Sequence, residues 1–190
     1  MRFEGAKWRL VSEDVQLAPD LVVRRDVVEH PGAVGVVALD DDENVVLIQQ
    51  YRHPVSSTLW EVPAGLLDEV GESPLGTARR ELFEEAHLRA EQWGLLLDLY
   101  SSPGMSSEMV RLYLARDLRE VPVAERHVQT EEEREMPSVR VALDDACRWA
   151  IEGRIHNALT VAGVLAAERQ RGLSWSGLRD PNTPWPTPRT

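Results

Sequence analysis

Apolar and polar positions in the first third of the chain follow patterns that are typical of β-strands. Residues 11–29 read VSEDVQLAPDLVVRRDVVE and predict a short hairpin that turns at Pro19 and Asp20. Apolar runs at 32–40 and 44–52 are separated by turn-forming residues and predict two paired, buried central strands. The chain is therefore expected to begin with β-structure.

After a further short strand predicted at 58–63, the apolar period changes to that of an α-helix over 73–86. Ser73 is the expected N-cap, and Pro74 is the expected first residue of the helix. The apolar stripe consists of Leu75, Ala78, Leu82 and Ala86. Their spacing places these side chains on one face, which we expect to pack against the sheet.

The second half of the chain predicts strands at 93–102, 108–118 and 139–143, followed by helices at 144–153 and 157–171. The order of elements is therefore β-structure, one helix, more β-structure and two helices. Beyond Gly172 the chain is rich in proline, so we expect an extended or mobile tail.

Composition and charge narrow the class of protein. The chain has 190 residues, 43% of them apolar and 28% charged, which fits a globular protein with one core. A net charge of −11 argues against a long basic track for nucleic acid. Because no signal-like or membrane-spanning apolar run occurs, we expect a cytoplasmic protein with no membrane partner. Cys147 is the single cysteine and is expected to be a small core residue.

Candidate chemistry is concentrated on the helix at 73–86. Glu81, Glu84 and Glu85 fall on one face of it, away from the apolar stripe. A solvated acidic face is the usual explanation for three such glutamates. Convergent carboxylates are also the ligands that Mg²⁺ prefers, and such ions help to neutralise substrate phosphates.

The segment from Gly65 to Leu88 resembles the Nudix box, a motif of glycine, five residues, glutamate, seven residues and Arg-Glu-apolar-x-Glu-Glu-x-Gly-apolar. The matching residues are Gly65, Glu72, Arg80, Glu81, Leu82, Glu84, Glu85 and Leu88. Six residues instead of five separate Gly65 from Glu72, and His87 replaces the second glycine. His87 falls at the C-terminal end of the helix, and histidine can adopt a left-handed conformation there at moderate cost.

The resemblance implies the Nudix fold, an α+β fold arranged as an α/β/α sandwich with a central mixed sheet flanked by helices. It divides the chain into an N-terminal β extension at 1–29, a Nudix domain at 30–172 and a Pro-rich tail at 173–190. In the family, Mg²⁺ or Mn²⁺ binds to the box, with two or three ions when substrate is present. By resemblance the metal donors are the carboxylates of Glu81, Glu84 and Glu85 and the carbonyl of Ala64. Gly65, Glu72 and Arg80 would then support the loop that precedes the helix.

Residues 20–170 are similar to the ADP-ribose pyrophosphatase branch of the family. The similarity includes Gln50-Tyr51-Arg52, the segment LWEVPAG and a proline fifteen residues after Leu88. By resemblance the substrate-binding positions are Arg25, Arg52, Trp60, Pro103, Gly104 and Glu108. An ordinary surface position for either arginine, and a core position for Trp60, remain alternatives.

The resemblance also implies a reaction. Glu132 corresponds to the loop glutamate that acts on the attacking water, with Glu131, Glu133 and Glu135 as rivals in the same acidic loop. The implied function is hydrolysis of ADP-ribose to AMP and ribose 5-phosphate by a homodimer whose partner chain helps to complete the substrate pocket. Alternatives are hydrolysis of another ADP-sugar, of flavin dinucleotide or of a dinucleoside polyphosphate, and an ADP-ribose-binding module without catalysis. A Nudix-fold isomerase is a more distant alternative, because Cys147 lies after the catalytic region.

Overall fold

The computed structural model describes residues 1–127 and 136–186. In these residues the strands are β1 (Phe3–Glu4), β2 (Arg9–Ala18), β3 (Leu21–Glu29), β4 (Ala33–Ala38), β5 (Asn44–Arg52), β6 (Ser57–Glu61), β7 (Ala64–Leu66), β8 (Leu88–Tyr100), β9 (Met109–Glu120) and β10 (Ser138–Ala142). The helices are α1 (Pro74–Ala86), α2 (Leu143–Ile151) and α3 (Ala158–Arg171), and short 3₁₀ turns cover His53–Val55 and Val123–Glu125.

The strands form three sheets. β1, β2 and β3 make an N-terminal sheet, β10, β5 and β6 make a second, and β7, β4, β9 and β8 make a third. In the third sheet β4 and β9 run parallel while the other pairs are antiparallel, so the sheet is mixed. None of the helices in the described residues is long and apolar enough to cross a membrane.

Helices cover both faces of the mixed sheet. Successive residues of a strand point to opposite faces, so β4 sends Val34 and Val36 into an apolar cluster with α1 and sends Val37 into a cluster with α2 and α3. Leu82 of α1 and Val164 of α3 are fully buried in these two clusters. This arrangement confirms the predicted α/β/α sandwich.

The start and end of α1 follow from its sequence. Ser73 Oγ accepts a hydrogen bond from the Gly76 N–H at 3.0 Å, and Pro74 is the first helical residue. His87 ends the helix at φ 53° and donates its N–H to the Phe83 carbonyl at 3.0 Å. The expected N-cap is confirmed, and His87 takes the left-handed conformation that histidine can adopt at moderate cost.

The predicted pairing of the two central strands is wrong. β4 and β5 lie in different sheets, and an isolated bridge between Leu39 and Val45 links the segments. Both edges of β4 are taken, one by β7 and the other by β9. β5 therefore pairs with β10 and β6 instead.

The N-terminal segment and the tail both differ in part from the structure that the sequence predicted. The predicted hairpin is present as β2 and β3, joined at Pro19 and Asp20, and a short first strand adds to it. The described part of the tail is not simply extended: it begins with turns at 172–177, has another turn at 181–182, and is docked on the mixed sheet. Backbone hydrogen bonds join Arg179 to Leu95 on β8, and the Tyr113 hydroxyl donates to the Pro181 carbonyl at 3.3 Å.

Candidate functional site

The acidic face of α1, which comprises Glu81, Glu84 and Glu85, is held by an arginine of the same helix. Arg80 Nη1 donates to Glu81 Oε1 at 2.7 Å and to Glu84 Oε2 at 3.1 Å. Glu81 and Glu85 are buried in spite of their charge. The repulsion among the glutamates is thus offset in part by one cation that reaches two of them.

Arg80 also connects the helix to Glu72, two residues before its first residue. Its Nη2 donates to Glu72 Oε2 at 3.2 Å, and the Thr77 hydroxyl donates to the same oxygen at 2.9 Å. Burial alone would lower the pKa of Arg80, but contacts with Glu72, Glu81 and Glu84 raise it above its usual value. Arg80 therefore stays charged and joins Glu72 to the acidic face, which is the supporting contact that the resemblance implies.

The strand β7 brings backbone groups to the same carboxylates. The Ala64 N–H donates to Glu85 Oε2 at 2.8 Å. A Cβ atom on Gly65 would lie 1.8 Å from Glu81 Oε1, which is far inside van der Waals contact. Only glycine at this position leaves the Glu81 carboxylate its present place.

The donors on this face suit a hard divalent cation in kind, because they are carboxylate oxygens close to a backbone strand. Within residues 1–127 and 136–186, however, no group of three or more His, Cys, Asp or Glu side chains is arranged so as to hold a metal ion. Two of the three carboxylates contact Arg80 instead. The residues therefore fit a metal by donor chemistry, and binding would require the carboxylates to turn from Arg80 toward the ion.

A cavity of about 420 Å³ opens beside β7. Its lining residues are His30, Ala33, Arg52, Pro54, Val55, Leu59, Glu61, Ala64, Gly65, Leu66, Glu108, Asn157 and Leu159. We call it the Arg52 cavity. Because Ala64 and Gly65 contact both the cavity and the carboxylates of Glu81 and Glu85, the cavity adjoins the acidic face.

Arg52 is fixed on the wall of this cavity by a buried carboxylate. Its Nε donates to Glu61 Oε1 at 3.0 Å, and its Nη2 donates to Glu61 Oε2 at 2.7 Å. The Glu61 side chain is only 2% exposed, whereas that of Arg52 is 41% exposed. This two-pronged pair holds a guanidinium in place at the cavity surface.

Another part of the cavity wall carries Glu108 and His30. His30 Nδ1 accepts the Gly32 N–H at 3.1 Å, so His30 Nε2 carries the hydrogen in the neutral ring. That Nε2 lies 3.6 Å from Glu108 Oε1, and the Ser101 hydroxyl donates to Glu108 Oε2. The Glu108 carboxylate is therefore held from two sides.

Other predicted substrate positions lie away from the Arg52 cavity of the same chain. Arg25 is exposed on β3, and Pro103 and Gly104 are exposed in the turn between β8 and β9. Trp60 packs against the core with its ring centroid 6.5 Å from that of Trp149, which favours the core alternative. Glu132 and its rivals Glu131, Glu133 and Glu135 lie outside the described residues.

Three polar residues of the cavity had no role assigned from the sequence. Glu61 is a charged residue inside the apolar run LWEV, a signal that it needs a buried partner. His30 stands just before β4, and nothing in its neighbourhood distinguishes it from a surface histidine. Asn157 is the N-cap of α3 and accepts a hydrogen bond from the Thr160 N–H at 2.9 Å, so the predicted helix start was its only signal.

The fold and the site together define a class of protein. It is an α/β/α sandwich in which strand β7, with Gly65, and the acidic face of α1 adjoin the Arg52 cavity. The family profile described as NUDIX domain matches residues 29–160, more than half of the chain. The chain belongs to the Nudix family.

Two relatives and one solved structure extend this comparison. The chain is 46% identical over 162 residues to an ADP-ribose pyrophosphatase of Mycobacterium tuberculosis, covering 85% of this chain and 77% of the relative. It is 34% identical over 171 residues to a methanol dehydrogenase activator of Bacillus methanolicus, covering 90% of each. A crystal structure of an ADP compounds hydrolase shares the fold with a TM-score of 0.66 and 23% identity, covering 90% of this chain and 98% of that one.

Proposed function

We propose that the protein hydrolyses ADP-ribose to AMP and ribose 5-phosphate with the help of a divalent cation. The observation that carries the proposal is the junction of the acidic face with the Arg52 cavity at Ala64 and Gly65. A diphosphate bound there would meet carboxylates through a cation on one side and a fixed guanidinium on the other. The 46% identity to an ADP-ribose pyrophosphatase supports the choice of substrate.

Nudix hydrolases in general use divalent metal ions. We propose Mg²⁺, with Mn²⁺ as a substitute and two or three ions when substrate is bound. Glu81, Glu84 and Glu85 with the Ala64 carbonyl would hold them. When bound, such ions neutralise the diphosphate and lower the pKa of an attacking water.

The side chains of the cavity would bind and orient the substrate. Arg52, held by the buried Glu61, presents its guanidinium without the entropy cost of ordering a free side chain. Glu108, held by Ser101 and close to His30, would accept hydrogen bonds from ribose hydroxyls. Arg80 has a separate task, which is to keep the acidic face compact before a cation arrives.

Glu132 is proposed as the group that orients or deprotonates the attacking water. Glu132→Gln is expected to lower kcat by about a hundredfold or more while Mn²⁺ affinity stays the same. Glu133→Gln and Glu135→Gln are matched controls in the same acidic loop, and each should retain most of the activity. A normal kcat in Glu132→Gln together with a large loss in one control would transfer the role to that residue.

We further propose a homodimer formed through the N-terminal β extension, in the cytoplasm. The extension leaves several large apolar side chains exposed, among them Phe3 at 54%, Leu21 at 47% and Val22 at 61%. Such a surface is typical of an interface. Arg25, which is exposed on β3, would then be available to the pocket of the partner chain. Light scattering during gel filtration should give twice the chain mass of 21.4 kDa, and a monomer mass would contradict this proposal.

The test of the main proposal is a substrate panel. The purified protein is incubated with ADP-ribose, another ADP-sugar, flavin dinucleotide and a dinucleoside polyphosphate, each with Mg²⁺ and with Mn²⁺. Chromatography should show AMP and ribose 5-phosphate from ADP-ribose at the highest kcat/KM of the panel. Absence of ADP-ribose turnover with either metal would refute ADP-ribose as the substrate. Turnover of only one other compound of the panel would identify that compound as the substrate instead.

A further inference from the structure

The loop between Gly65 and Glu72, residues 66–71, is the part of the box that is one residue longer than the family motif. We call it the box loop. It pairs with the N-terminal extension and shares a neighbour, Gly32, with the tail. Lys7, from the N-terminal extension, forms an ion pair with Asp68. Leu67 lies against Gly32 together with Trp185 of the tail: a Cβ atom on Gly32 would be 3.1 Å from Trp185 Cζ2 and 3.4 Å from Leu67 Cδ1.

The tail is fixed at this position by a buried arginine. Arg111 on β9 is 1% exposed and pairs with Asp98 at 2.7 Å. Its Nη1 donates to the Thr183 carbonyl at 2.6 Å, and its Nη2 donates to the Pro184 carbonyl at 3.1 Å. A buried guanidinium needs acceptors for its N–H groups, and the tail supplies two of them.

Trp185 is anchored by the same arginine. The Arg111 guanidinium lies over the indole of Trp185, 5.1 Å from the ring centroid. The indole ring of Trp185 in the tail is therefore held between the buried Arg111 guanidinium and Gly32. Leu67 of the box loop also lies against Gly32 and donates its N–H to the Gly32 carbonyl at 3.0 Å, so Gly32 links the anchored ring to the box loop.

Arg111, which anchors the tail, and Gly65, which lies against Glu81, are in one row of residues across the sheet. Gly65 on β7 is opposite Val34 on β4, Val34 is opposite Arg111 on β9, and Arg111 is opposite Asp98 on β8. A shift of the tail at Arg111 would therefore act close to Gly65, whose backbone limits the position of the Glu81 carboxylate.

We propose that the two chain ends clamp the box loop, with Trp185 and Lys7 as positioning residues that set the affinity of the acidic face for a divalent cation. The proposal rests on the metal-binding role proposed above for Glu81, Glu84 and Glu85. A loop that is already ordered loses less conformational entropy when a cation fixes its neighbours. The clamp thus accounts for a longer box loop that still presents Gly65 correctly to Glu81.

Trp185→Ala is the test, with Mn²⁺ binding as the readout in the absence of any substrate. Free Mn²⁺ is counted by electron paramagnetic resonance during a titration of the full-length protein. Residues that orient metal ligands typically contribute about 10- to 100-fold in affinity, so the Mn²⁺ dissociation constant should rise about tenfold. Trp185→Phe keeps an aromatic ring beside Arg111 and should restore most of the affinity.

Trp175→Ala is the matched control. Trp175 also follows α3 and also stacks with an arginine, since the Arg116 guanidinium lies 4.8 Å from its ring centroid. It packs against the core cluster of α2 and α3, on the face of the sheet opposite α1. Trp175→Ala should lower the unfolding temperature while changing Mn²⁺ affinity less than about twofold, within the usual scatter for distant sites.

Several outcomes would overturn the clamp. One is a folded Trp185→Ala protein with wild-type Mn²⁺ affinity, and another is an equal loss of affinity in Trp175→Ala. If Trp185→Ala does not fold, Lys7→Met takes its place, because Lys7 is exposed; unchanged affinity there would also overturn the proposal. Mn²⁺ binding by the wild type without ADP-ribose turnover would refute only the proposed substrate, whereas no Mn²⁺ binding would refute both proposals.

Discussion

Both faces of α1 carry buried side chains, but one face is apolar and the other is charged. On the core face Leu82 is fully buried and is stabilised by removal of apolar surface from water. On the acidic face Glu81 and Glu85 are 8% and 5% exposed, and their charges are compensated by Arg80 and by the Ala64 N–H. One face therefore stabilises the helix by apolar burial, and the other keeps buried carboxylates in place through compensating contacts.

The largest expected effect is that of Glu85→Gln on catalysis. Glutamine retains an oxygen that can accept the Ala64 N–H, so the fold should persist, but it removes a charged metal donor. We expect kcat for ADP-ribose to fall about a thousandfold, because such a donor contributes several kcal/mol to the transition state. Turnover at saturating Mg²⁺ and urea unfolding are measured on the same preparation. Wild-type turnover in the folded variant would remove Glu85 from the metal-binding group.

Leu82→Ala probes the core face and should act on stability alone. Truncation of a fully buried leucine leaves a cavity, so the free energy of unfolding should fall by about 3 kcal/mol. The kcat of the protein that remains folded should stay within about twofold of wild type, since no metal donor changes. Leu165→Ala, on the partly exposed side of α3, is the control and should cost about 0.5 kcal/mol or less. A loss of kcat as large as that of Glu85→Gln would show that the two faces are not independent.

Gly65→Ala tests the space that the acidic face needs. The new Cβ would lie 1.8 Å from Glu81 Oε1, so this carboxylate must move while the core stays intact. Activity at fixed Mg²⁺ should fall about tenfold, in the range found when metal ligands are misoriented. Gly172→Ala at the end of α3 is the control, because its Cβ would meet the nearest atom at an ordinary 3.5 Å. Equal activities in the two variants would argue against a steric role for Gly65.

The smallest effect is expected at His87, where both faces end. A left-handed φ of 53° is strained for histidine and relaxed for glycine, and His87 Nδ1 is buried without a hydrogen-bond partner in the described residues. His87→Gly should therefore raise the free energy of unfolding by about 0.5–1 kcal/mol. Activity should not change. A loss of stability in urea unfolding would show that packing of the imidazole outweighs the backbone strain.

Local signals in the sequence were sufficient for α1 and its carboxylates. The cap at Ser73, the proline at position 74 and the apolar stripe all act within one or two turns of the helix, so they can be interpreted without the rest of the fold. Local signals could not decide whether β4 pairs with β5, and the predicted pairing was wrong. The pairing depends on which strands occupy the edges of β4, and these come from residues about 30 and about 75 positions further along the chain.

The Arg52 cavity also contains residues that the sequence predicted and others that only the structure revealed. Arg52 and Glu108 were expected at the substrate site by resemblance, and the structure places both in the Arg52 cavity. Glu61 was missed as the partner that fixes Arg52, because the pair forms only when β5 and β6 align. For Trp60 the sequence left a substrate role and a core position open. Packing with Trp149, about 90 residues further along the chain, favours the core position.

The sequence by itself determined the order of the elements, the ends of α1 and the donor chemistry of the acidic face, since each follows from interactions between near neighbours in the chain. Only the tertiary structure decided which strands share a sheet, how Arg80 compensates the crowded glutamates, and where the proline-rich tail docks. The tail is the clearest case. Nothing in its composition specifies Arg111, because the buried guanidinium that donates to the Thr183 and Pro184 carbonyls takes its position only in the folded sheet.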